Sequence, residues 1–214
     1  MPELITKWRV VSLYSYREAV KKVVKNSQVC LGARTLTLPF SKNNEGHFLP
    51  ILAKIESQVS AMLSHHCKIL AVRLDLHVYD QSSTNEVISK LIRWLRKHLQ
   101  QRLGLSNVGY IWCREQGKAS KQHYHLVVMV DANKHRHPTT LVNLVCRYWQ
   151  AKDIGTVWIP KHCYYVIKRG DDKAFQKLFN RLSYLAKVAT KAPINRNATS
   201  NDYEGSRIKC KASK

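Results

Sequence analysis

The chain has 214 residues, 44% of them hydrophobic, and carries 36 Lys plus Arg against 14 Asp plus Glu, a formal net charge of +22. That is enough apolar material for one packed domain with extensions, and the charge calls for a polyanionic partner, nucleic acid before any other. No run of ~18 apolar residues exists to span a bilayer, and no basic helix has the broad apolar face needed to lie on one, so no membrane partner is expected.

The six cysteines (Cys30, Cys67, Cys113, Cys146, Cys163 and Cys210) are scattered without a CxxC pair. Zinc-finger spacing and a compact disulfide framework are therefore absent, and reduced thiols in a bacterial cytoplasm are expected. The N-terminal stretch is charged throughout, unlike a secretory signal. Residues 14–26 read as a short basic helix. Residues 31–47 hold a strand followed by turn residues at Pro39 and Asn43-Asn44. Apolar spacing near 3.6 predicts a helix over 48–64, after Pro50. Residues 68–79 (KILAVRLDLHVY) read as a strand. Residues 84–103 are the best helix, with Ser83 or Thr84 as N-cap, Gly104 as stop, and Val87, Leu91, Trp94, Leu95 and Leu99 in one stripe.

A second strand over 108–115 and a third over 122–130 are joined by the polar turn QGKASK, which suggests a hairpin. A helix over 139–151 follows Pro138. Strand residues over 155–167 are interrupted by Pro160, and a last helix over 171–190 starts with acidic residues that suit its dipole. From residue 68 the order is strand, helix, strand, strand, helix, strand, helix. The first six match an α+β, ferredoxin-like βαββαβ plan, an antiparallel sheet with helices on one face. Residues 1–60 read as a basic N-terminal extension, 61–192 as the domain proper, and 193–214 as a basic, mostly disordered tail.

Three local features point to chemistry. His123 and His125 are i and i+2 of a strand, so both rings lie on one face; with ten histidines in the chain, two ordinary strand histidines are the alternative. Glu115 ends the hairpin's partner strand and so lies near His123. One carboxylate and two imidazoles make a three-ligand set for a divalent ion with positions left open; a surface carboxylate paired with Arg114 or Lys118 is the alternative. Tyr184 and Lys187 share a helix face at i and i+3, with Lys191 a turn further on. Positive charge beside a phenol favours its nucleophilic form, though ordinary helix packing is open to any of ten tyrosines. Asp75 and His77, with Arg73, share one face of the first strand, placed to support the metal site or contact DNA; an ordinary polar strand face is the alternative.

Together, Glu115, His123-Tyr124-His125 and the YxxK pattern Tyr184–Lys187 resemble the HUH endonuclease superfamily, over residues 68 to about 191. The segments VRLDLHVY (72–79) and LSYLAK (182–187) are similar to the replication-protein family of filamentous phages and prophages, the YagK/YfjJ C-terminal domain group. The resemblance implies that His123, His125 and Glu115 hold Mg²⁺ or Mn²⁺. It makes Tyr184 the single nucleophile, forming a 5′-phosphotyrosine, and gives Lys187 the phosphate to position. It further implies nicking of single-stranded DNA at a replication origin, with rolling-circle synthesis completed by host helicase and polymerase. Two departures stand out: Tyr124 replaces the commoner aliphatic between the histidines, and positions 181 and 188 are Arg and Val, so no second tyrosine flanks the first. No GxxxxGK[ST] sequence occurs, so no helicase is fused here.

Lys118, Lys121, Lys168, Arg169 and Lys191 are candidate DNA contacts, as are Arg93, Arg96 and Lys97. Tyr164-Tyr165 beside Lys168-Arg169, and Trp112 beside Glu115, have the aromatic-basic mix that stacks on unpaired bases, although core packing suits Trp112 and Trp94 better. Two other functions remain in view: a non-catalytic prophage regulator on the same scaffold, and an RNA-binding sheet platform. Tyr124 points away from the histidines onto a face the helices should cover, which counts against the platform.

Overall fold

The computed structural model describes residues 23–39, 45–115, 122–188 and 201–212. Two small antiparallel pairs come first: β1 (Val23–Val24) with β4 (His47–Phe48), and β2 (Gln28–Leu31) with β3 (Arg34–Thr37). Helix α1 (Leu49–His65) follows, then β5 (Lys68–Val78), α2 (Glu86–Leu103), β6 (Gly109–Glu115) and β7 (His123–Asp131). The chain continues through α3 (Thr139–Ala151), β8 (Gly155–Trp158), β9 (Tyr164–Lys168) and α4 (Asp172–Leu182). A 3-10 turn (Ser183–Ala186) and β10 (Tyr203–Gly205) complete it. The architecture is α+β, built on one six-stranded antiparallel sheet.

The sheet runs β10-β6-β7-β5-β8, with β9 also on β5. Counted from β5, this is the βαββαβ connectivity expected from the sequence. β8 and β9 share the outer edge of β5: Asp75–Val78 pair with residues 155–158 and Lys68–Val72 with residues 164–168. The excursion around Pro160 separates them, because proline cannot donate to the ladder.

β5 is buried on both faces, as a central strand should be. Its even positions, Leu70, Val72, Leu74, Leu76 and Val78, form a core with Leu91, Leu95 and Leu99 of α2 and Leu141, Val145 and Trp149 of α3. Burying each such side chain stabilises the fold by about 1.5–3 kcal/mol. A one-residue slip would expose the whole set, so the register is strongly specified. Odd positions Ile69 and Ala71 belong to a second core with Leu52, Ile55, Val59 and Met62 of α1 and Phe175, Leu178 and Phe179 of α4. Beyond Ala71 the odd positions turn polar: Arg73, Asp75 and His77.

The structure departs from the sequence reading in several places. Helices cover both faces of the sheet, not one, because α1 and α4 pack opposite α2 and α3. The expected boundary at residue 60 falls inside α1, whose apolar stripe is core. Val23-Val24, expected in a helix, is strand; most of that expected helix lies outside the described residues, as do Asn43-Asn44. Asn85 caps α2, without a side-chain bond, in place of Ser83 or Thr84, while Gly104 stops it in the left-handed conformation. The last helix ends at Leu182 instead of running to 190. Its start is as expected, with Asp171 accepting from the Ala174 N–H at 2.9 Å.

The expected tail is ordered over 201–212. β10 extends the sheet beyond β6. Arg114 reaches Asp202 at 3.0 Å, Ser206 Oγ meets buried Gln58, and the Gln58 amide donates to Ile208 O. A polar composition favours disorder, but specific polar contacts tie these residues down, and Tyr203 and Ile208 pack against the second core.

A candidate metal centre beside Tyr184

The β5, β6 and β7 registers bring the polar residues together. Glu115 lies opposite His123, and His123 opposite His77; in the next row Cys113, His125 and Asp75 align. Directly opposed residues of an antiparallel ladder face the same way, so all project from the face that carries α1 and α4. They lie at the end of the sheet where that second core stops.

Glu115 Oε2 is 3.1 Å from His125 Nε2 and 3.4 Å from His123 Nε2, and one ligand atom from each residue lies within 4.8 Å of the others. Ligands about 2.1 Å from a shared ion and at right angles sit about 3 Å apart. The donor set of one carboxylate and two imidazoles suits a divalent cation. His125 Nε2 is buried and lacks a hydrogen bond of acceptable direction among the described residues. An orphaned imidazole nitrogen beside a buried carboxylate costs stability unless something fills the gap. The residues present therefore fit an ion.

The surroundings orient the ligands. Asp75 Oδ1 lies 2.6 Å from His125 Nδ1, which places the Nδ1 proton toward Asp75 and leaves the Nε2 lone pair for the centre. Arg73 grips both Asp75 oxygens, at 3.1 and 3.2 Å. Its 3.3 Å approach to His125 Nδ1 sets donor against donor, so we read it as a by-product of both groups holding one carboxylate. Burial opposes protonation of His125, but the carboxylates of Asp75 and Glu115 outweigh it and raise its pKa above 6.5. Burial likewise opposes ionisation of Asp75, yet His125 and Arg73 hold its pKa below 3.8. His77 stacks on His123 with ring centroids 5.1 Å apart; burial, then the charge of His123, lowers its pKa.

Tyr184 meets this group from above the sheet. Its ring lies edge-on to His125, centroids 5.5 Å apart. The Arg73 guanidinium carbon is 4.6 Å and Lys187 Nζ 5.0 Å from the Tyr184 ring centroid. The expected shared helix face is corrected: Tyr184 sits in the 3-10 turn, and Lys187 is already extended. The two still meet, with Lys187 Nζ over the Tyr184 ring. Lys187 bridges His47 of β4, and the Val188 N–H donates to Gly46 O at 3.1 Å. This clamps the tyrosine-bearing turn. His47 is buried, its Nε2 has no hydrogen-bond partner among the described residues, and burial followed by the Lys187 charge lowers its pKa. Nothing in the unpatterned segment around His47 marked it in the sequence.

The candidate DNA contacts scatter. Lys118, Lys121 and Lys191 lie outside the described residues. Lys168 pairs with Lys68 at the far end of β5, about 20 Å from the centre at ~3.3 Å per residue. Arg169 instead donates to Leu63 O and Ser64 O at the end of α1, a C-terminal helix cap. Arg93, Arg96 and Lys97 sit on α2, behind the sheet. Trp112 is core, edge-on to Tyr124, and Trp94 packs on Tyr148 and His98. Tyr124 is fully buried and hydrogen-bonded to Gln122 and Asn85, so it offers no stacking surface.

Among the described residues, no helix is long and apolar enough to cross a membrane. No solved structure matches the chain. Among curated proteins, one named "Uncharacterized protein YagK", from Escherichia coli (strain K12), is 24% identical over 183 residues, covering 68% of this chain and 88% of its own length. The YagK/YfjJ C-terminal domain matches residues 33–199, so the segment holding Glu115, His123, His125 and Tyr184 lies within it, and the chain belongs to that family.

Proposed function

We propose that the protein is an endonuclease and strand transferase of the HUH type that nicks single-stranded DNA at a replication origin, with Tyr184 as its one nucleophile. One observation carries the reading: the Tyr184 ring lies against His125, a member of the one group of three or more ligand residues, among the described residues, whose geometry could hold a metal ion. Glu115, His123 and His125 would hold Mg²⁺ or Mn²⁺, which when bound supplies Lewis-acid polarisation of the scissile phosphate. Asp75 keeps His125 in the ligating tautomer. Arg73 and Lys187 put two positive charges beside the phenol, where a phosphate must sit during attack.

Tyr184 Oη forms a bond to phosphorus as the bond from phosphorus to the 3′ oxygen breaks. The downstream fragment is left with a 5′-phosphotyrosine and the upstream fragment with a 3′-hydroxyl. The phenol loses one proton and the 3′ oxygen gains one. One phosphoester replaces another, so the reverse attack rejoins the strand without a nucleotide cofactor. The released hydroxyl primes a polymerase, so the reading places the protein at initiation of rolling-circle replication of a phage, prophage or plasmid, in a bacterial cytoplasm with host helicase and polymerase as partners.

Incubation with labelled single-stranded phage or plasmid origin DNA and Mn²⁺ tests this. A covalent adduct that is lost on chelation and lost in Tyr184→Phe supports it. DNA binding without an adduct on any origin tried overturns it in favour of a non-catalytic regulator.

A further inference from the structure

We propose that Trp158 is a stacking subsite for an unpaired base of the bound strand, one step along from the phosphate held beside Tyr184. The substrate class rests on the nicking proposal; the subsite itself rests on register and exposure. Trp158 pairs with Asp75, and Asp75 with His125, so the three side chains stand in one row and face the same way. Two strand spacings, about 10 Å, separate Trp158 from His125. Val157, its neighbour in sequence, packs into the opposite core, which confirms the facing.

Trp158 is 64% exposed, whereas Trp112 and Trp149 are 2% and 0% exposed. An indole left mostly open on a sheet edge adds little to the core. Isolated exposed apolar residues are common, but this one is held in place. A Cβ on Gly155 would lie 1.9 Å from His77 O, so β8 is pressed against β5 at its first residue and its register cannot shift. Just beyond Trp158, the Arg181 guanidinium donates to Lys161 O at 2.8 Å, and the Arg73 N–H donates to Cys163 O at 2.7 Å. These bonds secure the following turn.

The occupant follows from charge and shape. The chain carries +22; Lys161 follows Trp158 in the next turn, and the Arg181 guanidinium is bonded to its carbonyl. A flat aromatic face beside basic groups fits a strand that offers phosphates and an open base face together. A duplex hides its base faces in the stack.

The test uses the full chain in chelator, so that no cleavage is needed, with two fluorescent probes: oligo(dT) and an abasic deoxyribose-phosphate chain of equal length. Trp158→Ala is expected to weaken oligo(dT) binding about 5- to 150-fold and to leave the abasic chain unaffected. Trp158→Tyr is expected to keep most of the oligo(dT) affinity. Equal loss on both probes, or no loss on oligo(dT), overturns the subsite. So does loss of binding to phosphatidylserine vesicles with oligo(dT) affinity intact. Failure of the wild-type protein to form an adduct with Mn²⁺ would sink the nicking proposal separately, whatever these affinities show.

Discussion

Replacing Asp75 with Asn separates orientation of His125, the proposed metal ligand, from the ligand itself. Asp75 serves two partners: His125 Nδ1 at 2.6 Å, and the Arg73 fork at 3.1 and 3.2 Å. Asn offers one acceptor oxygen and one donor nitrogen. If the oxygen stays with Arg73, the NH₂ group faces His125 Nδ1 and moves the ring proton to Nε2, where a metal must bind. If the oxygen turns to His125, Arg73 faces a donor. Losing such an orienting carboxylate typically costs 10–100-fold in metal affinity, about 1.4–2.7 kcal/mol. Arg73 is 6% exposed, and breaking a buried pair costs about 3–5 kcal/mol, an upper figure here because Asn keeps one hydrogen bond. Calorimetric Mn²⁺ titration at neutral pH, beside a thermal melt, reads both effects. A variant that melts lower but binds Mn²⁺ as tightly as wild type would refute the orienting role of Asp75.

Three further outcomes follow from the same geometry. Arg73→Lys keeps the charge but loses the planar fork over Tyr184; the adduct is expected to form about 10–30-fold more slowly in single-turnover assays at saturating Mn²⁺, and an unchanged rate would remove Arg73 from the site. Gly155→Ala is expected to lower stability in urea by about 1–3 kcal/mol, because its Cβ would overlap His77 O; wild-type stability would mean β8 is not pressed against β5. NMR titration of His125 in the metal-free protein is expected above 6.5. Its stabilising contribution is then complete below about 6.5 and lost as pH rises through the folded value. Mg²⁺ needs the neutral ring, so it should lower that titration, and indifference to Mg²⁺ would argue against His125 as a ligand.

The sequence made the sheet and the site legible for one reason. β5, β6 and β7 carry their information in two-residue alternation, and register then follows from burial. His123, His125, Glu115 and Asp75 converge because each sits on a strand whose facing is set by Leu, Val and Ile neighbours. Elements defined by long-range contact were less legible. Helix α1 shows an apolar stripe, but nothing local says that it closes the second face. The turn at Tyr184 is followed directly by Lys187 and Val188, which meet His47 and Gly46 over 130 positions earlier in the chain. β10 is recruited by Arg114 and Gln58, a pairing that no local pattern in a polar tail reveals. No local pattern marks Trp158 either: its place in the row of Asp75 and His125 appears only once β8 is laid on β5.

Mass spectrometry of the trapped complex tests the central claim most directly. Trypsin cuts after Arg181 and Lys187, so residues 182–187 (LSYLAK) form one peptide containing a single tyrosine. After nuclease trimming, that peptide is predicted to carry a 5′-linked nucleotide on Tyr184, in the presence of Mn²⁺ and not of chelator. A nicked strand with no modified peptide, or with the nucleotide on a different tyrosine, would contradict the account.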